Sequence, residues 1–305
     1  MLRKFLTHMS LMKNPIAWYR FQIQRRVVGV YNRQKMAQKN VRKINKKESD
    51  YHQLIDKEDL TLLENFKSEG YICLTDILTA QEVKDINDYL EHQKMFDSYR
   101  LDLGEFDKNH VPLETHVGNF NSNVMINCPH IFYLANHPKI LSLVTGYLGC
   151  KPTINNILGW RSFVINAEPE HPQNYHRDVD DWKLVKLFLY LTDVDMDSGP
   201  HYYIKGSAYN DKCTEIRRFT DDEIESAFGK ETVVPHTGLK GTIILEDTYG
   251  VHKGAVPKSQ DRSLIQIVYS LHPLPYSPIR PVKSLNGVIN GEKFDKYINR
   301  VYIKQ

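Results

Sequence analysis

From position 151 to 271 the chain is a succession of short apolar runs separated by turn signals. Residues 162–166, 184–192, 201–204, 242–245 and 264–271 read as strands, and Asp197-Ser-Gly-Pro is the clearest turn between them. Ahead of this region the texture is helical. Residues 59–67 read as an amphipathic helix and residues 70–74 as a short strand. Thr79-Ala-Gln-Glu is a capping box that opens a helix running to about position 93. A further helix is expected over 138–148, ending near Gly149. Helices followed by many short strands imply a mostly β fold, a sandwich or open barrel with helices packed on one outer face.

Charge divides the chain more sharply than length does. Residues 1–47 hold 13 Lys or Arg and no Asp or Glu, while the remaining residues hold 27 basic and 37 acidic groups. The expected organisation is a basic N-terminal arm and linker (1–48), a body (49–275) and a C-terminal extension (276–305) that contains Asn-Gly pairs at Asn286 and Asn290. In the arm, Ile16, Tyr19, Ile23, Val27 and Val30 recur at steps of three or four, with Trp18, Phe21 and Val28 beside them. The first expectation is that this helix packs on the body and leaves residues 34–47 as a solvated linker. The second is that it lies on an anionic membrane surface, apolar side down and cations among the headgroups. A nucleic-acid arm ranks below both, and an organellar transit peptide stays open.

No apolar run approaches the roughly 18 residues needed to cross a bilayer. The four cysteines, Cys73, Cys128, Cys150 and Cys213, form no C-x-x-C pair, which excludes a zinc ribbon and favours reduced thiols. A cytoplasmic protein is expected, with a peripheral membrane position as the alternative.

The chemistry is concentrated in two segments. His176 and Asp178 form the only H-x-D among 13 histidines. In extended backbone, residues i and i+2 point the same way, so both can reach one ion. Residues 242–251 run out of a strand into a turn and deliver His252. Ten residues later Arg262 opens a strand whose alternation places Arg262, Leu264 and Gln266 on one face. Two histidines and one carboxylate leave open positions on a metal, as in non-haem Fe(II) oxygenases. The same ligands serve catalytic zinc, so a zinc hydrolase is the enzymatic alternative, although it gives Arg262 no task. A catalytically silent adaptor for membranes or nucleic acid is the non-enzymatic one.

With these residues the sequence resembles the phytanoyl-CoA dioxygenase-like branch of the Fe(II)/2-oxoglutarate-dependent oxygenases. The resemblance is densest over 174–195, 198–207 and 252–264. It implies a double-stranded β-helix with buttressing helices, Fe(II) on His176, Asp178 and His252, and Arg262 as the clamp for 2-oxoglutarate. It further implies consumption of O2, release of succinate and CO2, and hydroxylation of an unactivated C–H in a small-molecule or lipid-linked substrate. Trp182 falls where similar ectoine hydroxylases place an active-site tryptophan, and Lys186 is the next candidate for the co-substrate pocket. The other histidines, His171, His201, His236 and His272, lack ligand spacing and are expected to be hydrogen-bonded or exposed. Departures are Ala208 after Gly206-Ser207, where the family often has histidine, and a bulky Arg177 between the two ligands. Asp178 argues against the related halogenases, which lack the carboxylate ligand.

Overall fold

The computed structural model describes residues 14–278 and 294–303. The first 13 residues of the arm and both Asn-Gly pairs of the C-terminal extension lie outside them. The N-terminal half is helical: α1 Pro15–Gln24, α2 Val30–Asn45, α3 Leu60–Glu69, α4 Ala80–Glu91, the short α5 Ser122–Asn127 and α6 Ile131–Ala135, and α7 Pro138–Leu148. Four short strands lie among them, β1 Tyr71–Leu74, β2 Met95–Phe96, β3 Glu105–Phe106 and β4 Val117–Phe120. The strands of the C-terminal half are β5 Thr153–Ser162, β6 Leu184–Tyr190, β7 His201–Ile204, β8 Val233–His236, β9 Ile243–Glu246, β10 His252–Gly254 and β11 Arg262–Ser270, with α8 Asp221–Phe228 between β7 and β8.

The strands build two facing antiparallel sheets, a double-stranded β-helix. The larger runs β1-β9-β6-β11-β5-β4-β2-β3 and the smaller β10-β7-β8. All of β6 and β11 is buried because both faces of the larger sheet are covered. Alternation sends Val185, Leu187, Leu189, Ile265 and Ile267 into the main core with α3 and α7. The other face carries Lys186, Phe188, Tyr190 and Leu264 toward the smaller sheet. Helix α7 starts with proline in its first turn and stops at Gly149, whose φ of 82° is a left-handed conformation that a β-carbon would strain. The capping box at Thr79 and Glu82 forms as expected.

Two expectations need correcting. Residues 34–47 are not a linker: most of them form α2, which buries Val30, Arg33, Ala37 and Ile44 along one face. Its core-facing side includes an arginine and an alanine between Val30 and Ile44, and that break in the apolar pattern hid it. The first long strand is β5, ahead of the expected 162–166. Asn155, Asn156 and Gly159 gave it the texture of a turn. Yet Asn155 is fully buried, bonded to Ser270 and Ser277 side chains and to Leu274 N, and Gly159 lets Met125 approach closely. The C-terminal residues 294–303 pack on the body through Ile298, Val301 and Tyr302. Among the described residues no helix is long and apolar enough to cross a membrane.

Candidate active site

Between the sheets lies a cavity of about 310 Å³ whose lining includes His176, Asp178, Lys186, His252 and Arg262. His176 and His252 pair across an isolated antiparallel bridge, each N–H donating to the other's carbonyl at 2.9 and 3.0 Å. Asp178 N donates to Thr248 O at 2.8 Å, so the two ligand-bearing segments are zipped together by backbone alone. One ligand atom from each of His176, Asp178 and His252 can be chosen so that all lie within 4.8 Å of one another.

Both imidazoles are oriented the same way. His176 Nδ1 meets Asn174 O at 2.9 Å and His252 Nδ1 meets Gly250 O at 2.9 Å. A carbonyl only accepts, so each Nδ1 carries a proton and Nε2 is the atom turned to the shared point, 3.7 and 3.3 Å from Asp178 oxygens. Burial, followed by the neighbouring His252, holds His176 well below the usual imidazole range and keeps it neutral. Burial alone would raise the Asp178 carboxyl, but the Lys186 ammonium and then His252 outweigh it and hold it well below the usual range. The carboxylate therefore draws positive charge to this spot. This donor set fits a divalent first-row metal with positions left open.

The other end of the cavity belongs to Arg262. It is 4% exposed, and its guanidinium donates to Gly199 O and to Ser162 Oγ at 3.3 Å. Its Nε has no partner, and no carboxylate among the described residues forms an ion pair with it. A β-carbon on Gly254 would sit 3.2 Å from Nη2, so the glycine keeps the approach open. A buried guanidinium without an anion is costly, and a planar carboxylate from a ligand would satisfy it. Arg262, Leu264 and Gln266 all line the cavity, as the alternation predicts.

Lys186 is also in the cavity, but at its metal end: Nζ lies 2.6 Å from Asp178 Oδ2 and 3.6 Å from Asp180 Oδ2. Trp182 is not in it. The Asp181 carboxylate accepts from Trp182 N and His272 N, and this turn sends the indole away from the metal end, onto the arm. There it packs in the main core, under the Arg33 guanidinium at 5.8 Å. Arg177 likewise points out of the cavity. It donates to five backbone carbonyls, those of Ser207, Asn210, Lys212, Cys213 and Tyr249, and braces the segment that carries His176 and Asp178.

Sequence reasoning missed two features. His201 is buried and lines the cavity, with Nε2 2.9 Å from Oε2 of a wholly buried Glu246, whose carboxyl burial pushes up to about 8. Its only signal was its place beside the Ser198-Gly-Pro turn. The arm also reaches the site from behind. Gln24 donates to Val179 O, Arg33 to Asp181 O, and Tyr249 Oη to Val28 O. Nothing local in the sequence announces these contacts.

Two histidines, a carboxylate and a sequestered guanidinium in one barrel define the site class of Fe(II)/2-oxoglutarate-dependent oxygenases. Over residues 66–263 the sequence matches the family described as Phytanoyl-CoA dioxygenase (PhyH), and the chain belongs to that family. Its members use iron and 2-oxoglutarate and act on small molecules. Similar solved structures share the fold. One is the non-heme alpha ketoglutarate dependent epimerase SnoN from nogalamycin biosynthesis, 18% identical, with a TM-score of 0.51 over 70% of this chain and 84% of that one. Another is EctD from S. alaskensis with bound Fe, 17% identical, with a TM-score of 0.50 over 81% and 84%. No curated protein matches the sequence.

Proposed function

We propose that this protein hydroxylates an unactivated C–H of a small-molecule or lipid-linked substrate, with Fe(II) held by His176, Asp178 and His252 and 2-oxoglutarate clamped by Arg262. The observation that carries this reading is the pairing of three converging ligand atoms with a buried, anion-free guanidinium in one cavity. Bound iron and 2-oxoglutarate supply an oxidant strong enough for such a bond, at the expense of O2 and with release of succinate and CO2. The chain supplies position and dryness. Arg262 fixes the distal carboxylate with paired N–H donors. Lys186 donates to Asp178 Oδ2 and so orients the carboxylate that would help to hold the iron. Phe188, Leu158 and Leu264 keep water from the inner wall.

Anaerobic titration of the purified protein with Fe(II) and 2-oxoglutarate tests this reading. A weak visible charge-transfer band is expected, and it should vanish in His176→Ala. A folded protein that shows no band would sink the proposal.

The arm supports a membrane-proximal substrate. Ile16 is 72% exposed, Tyr19 64% and Tyr31 71%, among exposed Arg26, Lys35, Lys39, Arg42 and Lys43. The apolar stripe of α1 thus faces outward, and its buried residues are Ala17 and Gln24. Such a surface suits anionic headgroups. The protein should sediment with vesicles containing phosphatidylglycerol but not with pure phosphatidylcholine, and Ile16→Ala with Tyr19→Ala should weaken this several-fold. Equal recovery with both lipids, or none with either, would refute it.

A further inference from the structure

The pair formed by His201 and Glu246 has no part in the reading above, yet it occupies the stretch of wall between the metal end and Arg262. His201 opens β7 and lies in register with Gly254 on β10 and His236 on β8. Its ring sits 4.6 Å from Phe188 and 5.5 Å from the ligand His252, centroid to centroid. Two residues earlier, Gly199 O accepts from the Arg262 guanidinium. The Gly254 opposite His201 is the same glycine that leaves Arg262 accessible. His201 lines the same cavity as the three ligands and the guanidinium.

Glu246 dictates how the ring is presented. It is 0% exposed, on the inward face of β9 opposite Lys186, and neither of its oxygens has a hydrogen-bond partner among the described residues. With Nε2 at 2.9 Å, His201 is the nearest group able to share a proton with it. This contact turns Nε2 onto the carboxyl and away from the cavity that His201 lines. Nδ1, with no hydrogen bond to any described residue, is the ring nitrogen left to meet a ligand there, and toward an anion a neutral imidazole acts through it as a donor. A pair that merely filled the core would gain from replacement by apolar side chains of the same shape, and would not need to open onto the cavity.

We propose that His201 is a second 2-oxoglutarate-binding residue, donating from Nδ1 to an oxygen of the co-substrate between the iron and Arg262, and that Glu246 is the positioning residue that orients it. This inference rests on the oxygenase reading and adds a contact to it.

Calorimetric titration of 2-oxoglutarate into the full-length protein loaded with Mn(II), which cannot turn over, separates the two. His201→Phe keeps the ring shape and removes the donor. It should weaken 2-oxoglutarate about 10-fold, the effect of one hydrogen bond to a charged group, and leave Mn(II) affinity within about 2-fold. Glu246→Gln can still donate to Nε2 and should stay within about 3-fold of the wild type. His201→Phe that binds 2-oxoglutarate like the wild type overturns this proposal alone. A wild-type protein that binds Mn(II) but no 2-oxoglutarate overturns the oxygenase reading. A measurement that needs no substitution covers the case of a misfolded variant. In Zn(II)-loaded wild-type protein with 15N-labelled histidine, the His201 Nδ1–H resonance should move downfield when 2-oxoglutarate is added, and a resonance that stays in place refutes the contact.

Discussion

The two ends of the cavity are built on different principles. Arg262 is the first residue of a nine-residue strand in the interior of the larger sheet, hydrogen-bonded to β5 on one side and β6 on the other. His176 and Asp178 sit outside the named strands, and His252 opens a three-residue strand at the edge of the smaller sheet. A strand inside a sheet holds its side chains by the ladder itself. A loop has no such ladder, so the metal end is held by added parts: the bridge between His176 and His252, the five carbonyls gathered by Arg177, and the arm. Tyr249 joins these supports. Its ring meets the Arg33 guanidinium at 4.5 Å and that of Arg177 at 5.0 Å, and its hydroxyl donates to Val28 O on the arm. The backbone of the His176, Asp178 and His252 segments is thus held by contacts from distant parts of the chain, whereas the backbone that carries Arg262 is held by its own sheet.

The sharpest test of this division is Arg262→Ala. The ladder of β11 survives the truncation, so the barrel and the three ligands should remain in place. The co-substrate carboxylate loses its charged donors, which corresponds to about 3 kcal/mol, or roughly 100-fold in 2-oxoglutarate affinity. Mn(II) binding should change by less than about 2-fold. If both affinities fell together, the two ends would not be independent, and the comparison would break.

The same division explains what could be read from the sequence. His176 and Asp178 stand at i and i+2 of one extended segment, and Arg262 shares a face with Leu264 and Gln266. Those relations are local and carry over directly into the cavity. The supports are not local. Arg33 meets Asp181 across 148 positions, and His201 meets Glu246 only because β7 and β9 face each other from different sheets. Trp182 marks the boundary: alternation is lost after Asp178, and the Asp181 turn sets the direction of the indole. The helical nature of α2 was concealed because its buried face includes an arginine that finds its acceptors in Gln24, Val27 and Asp181 carbonyls. An arginine in a basic run looks solvated until the acceptors are known.

Tyr249 supplies the smaller effects, and these separate the stack from the hydrogen bond. Tyr249→Ala removes the ring that both guanidinium groups cover and leaves a gap between the arm and the ligand loops. Mn(II) affinity should fall about 10-fold, the scale expected when support of a ligand shell is lost. The affinity of the metal-loaded protein for 2-oxoglutarate should fall much less. Tyr249→Phe retains both cation–π contacts and loses only the donor to Val28 O. Its cost should be about 1 kcal/mol or less, a fall in Tm of roughly 2 °C, with Mn(II) affinity unchanged. A phenylalanine variant as impaired in metal binding as the alanine one would move the weight from the ring to the hydroxyl. The arm would then hold the metal loops through its backbone at Val28, with the Arg33 stack serving only the packing of α2.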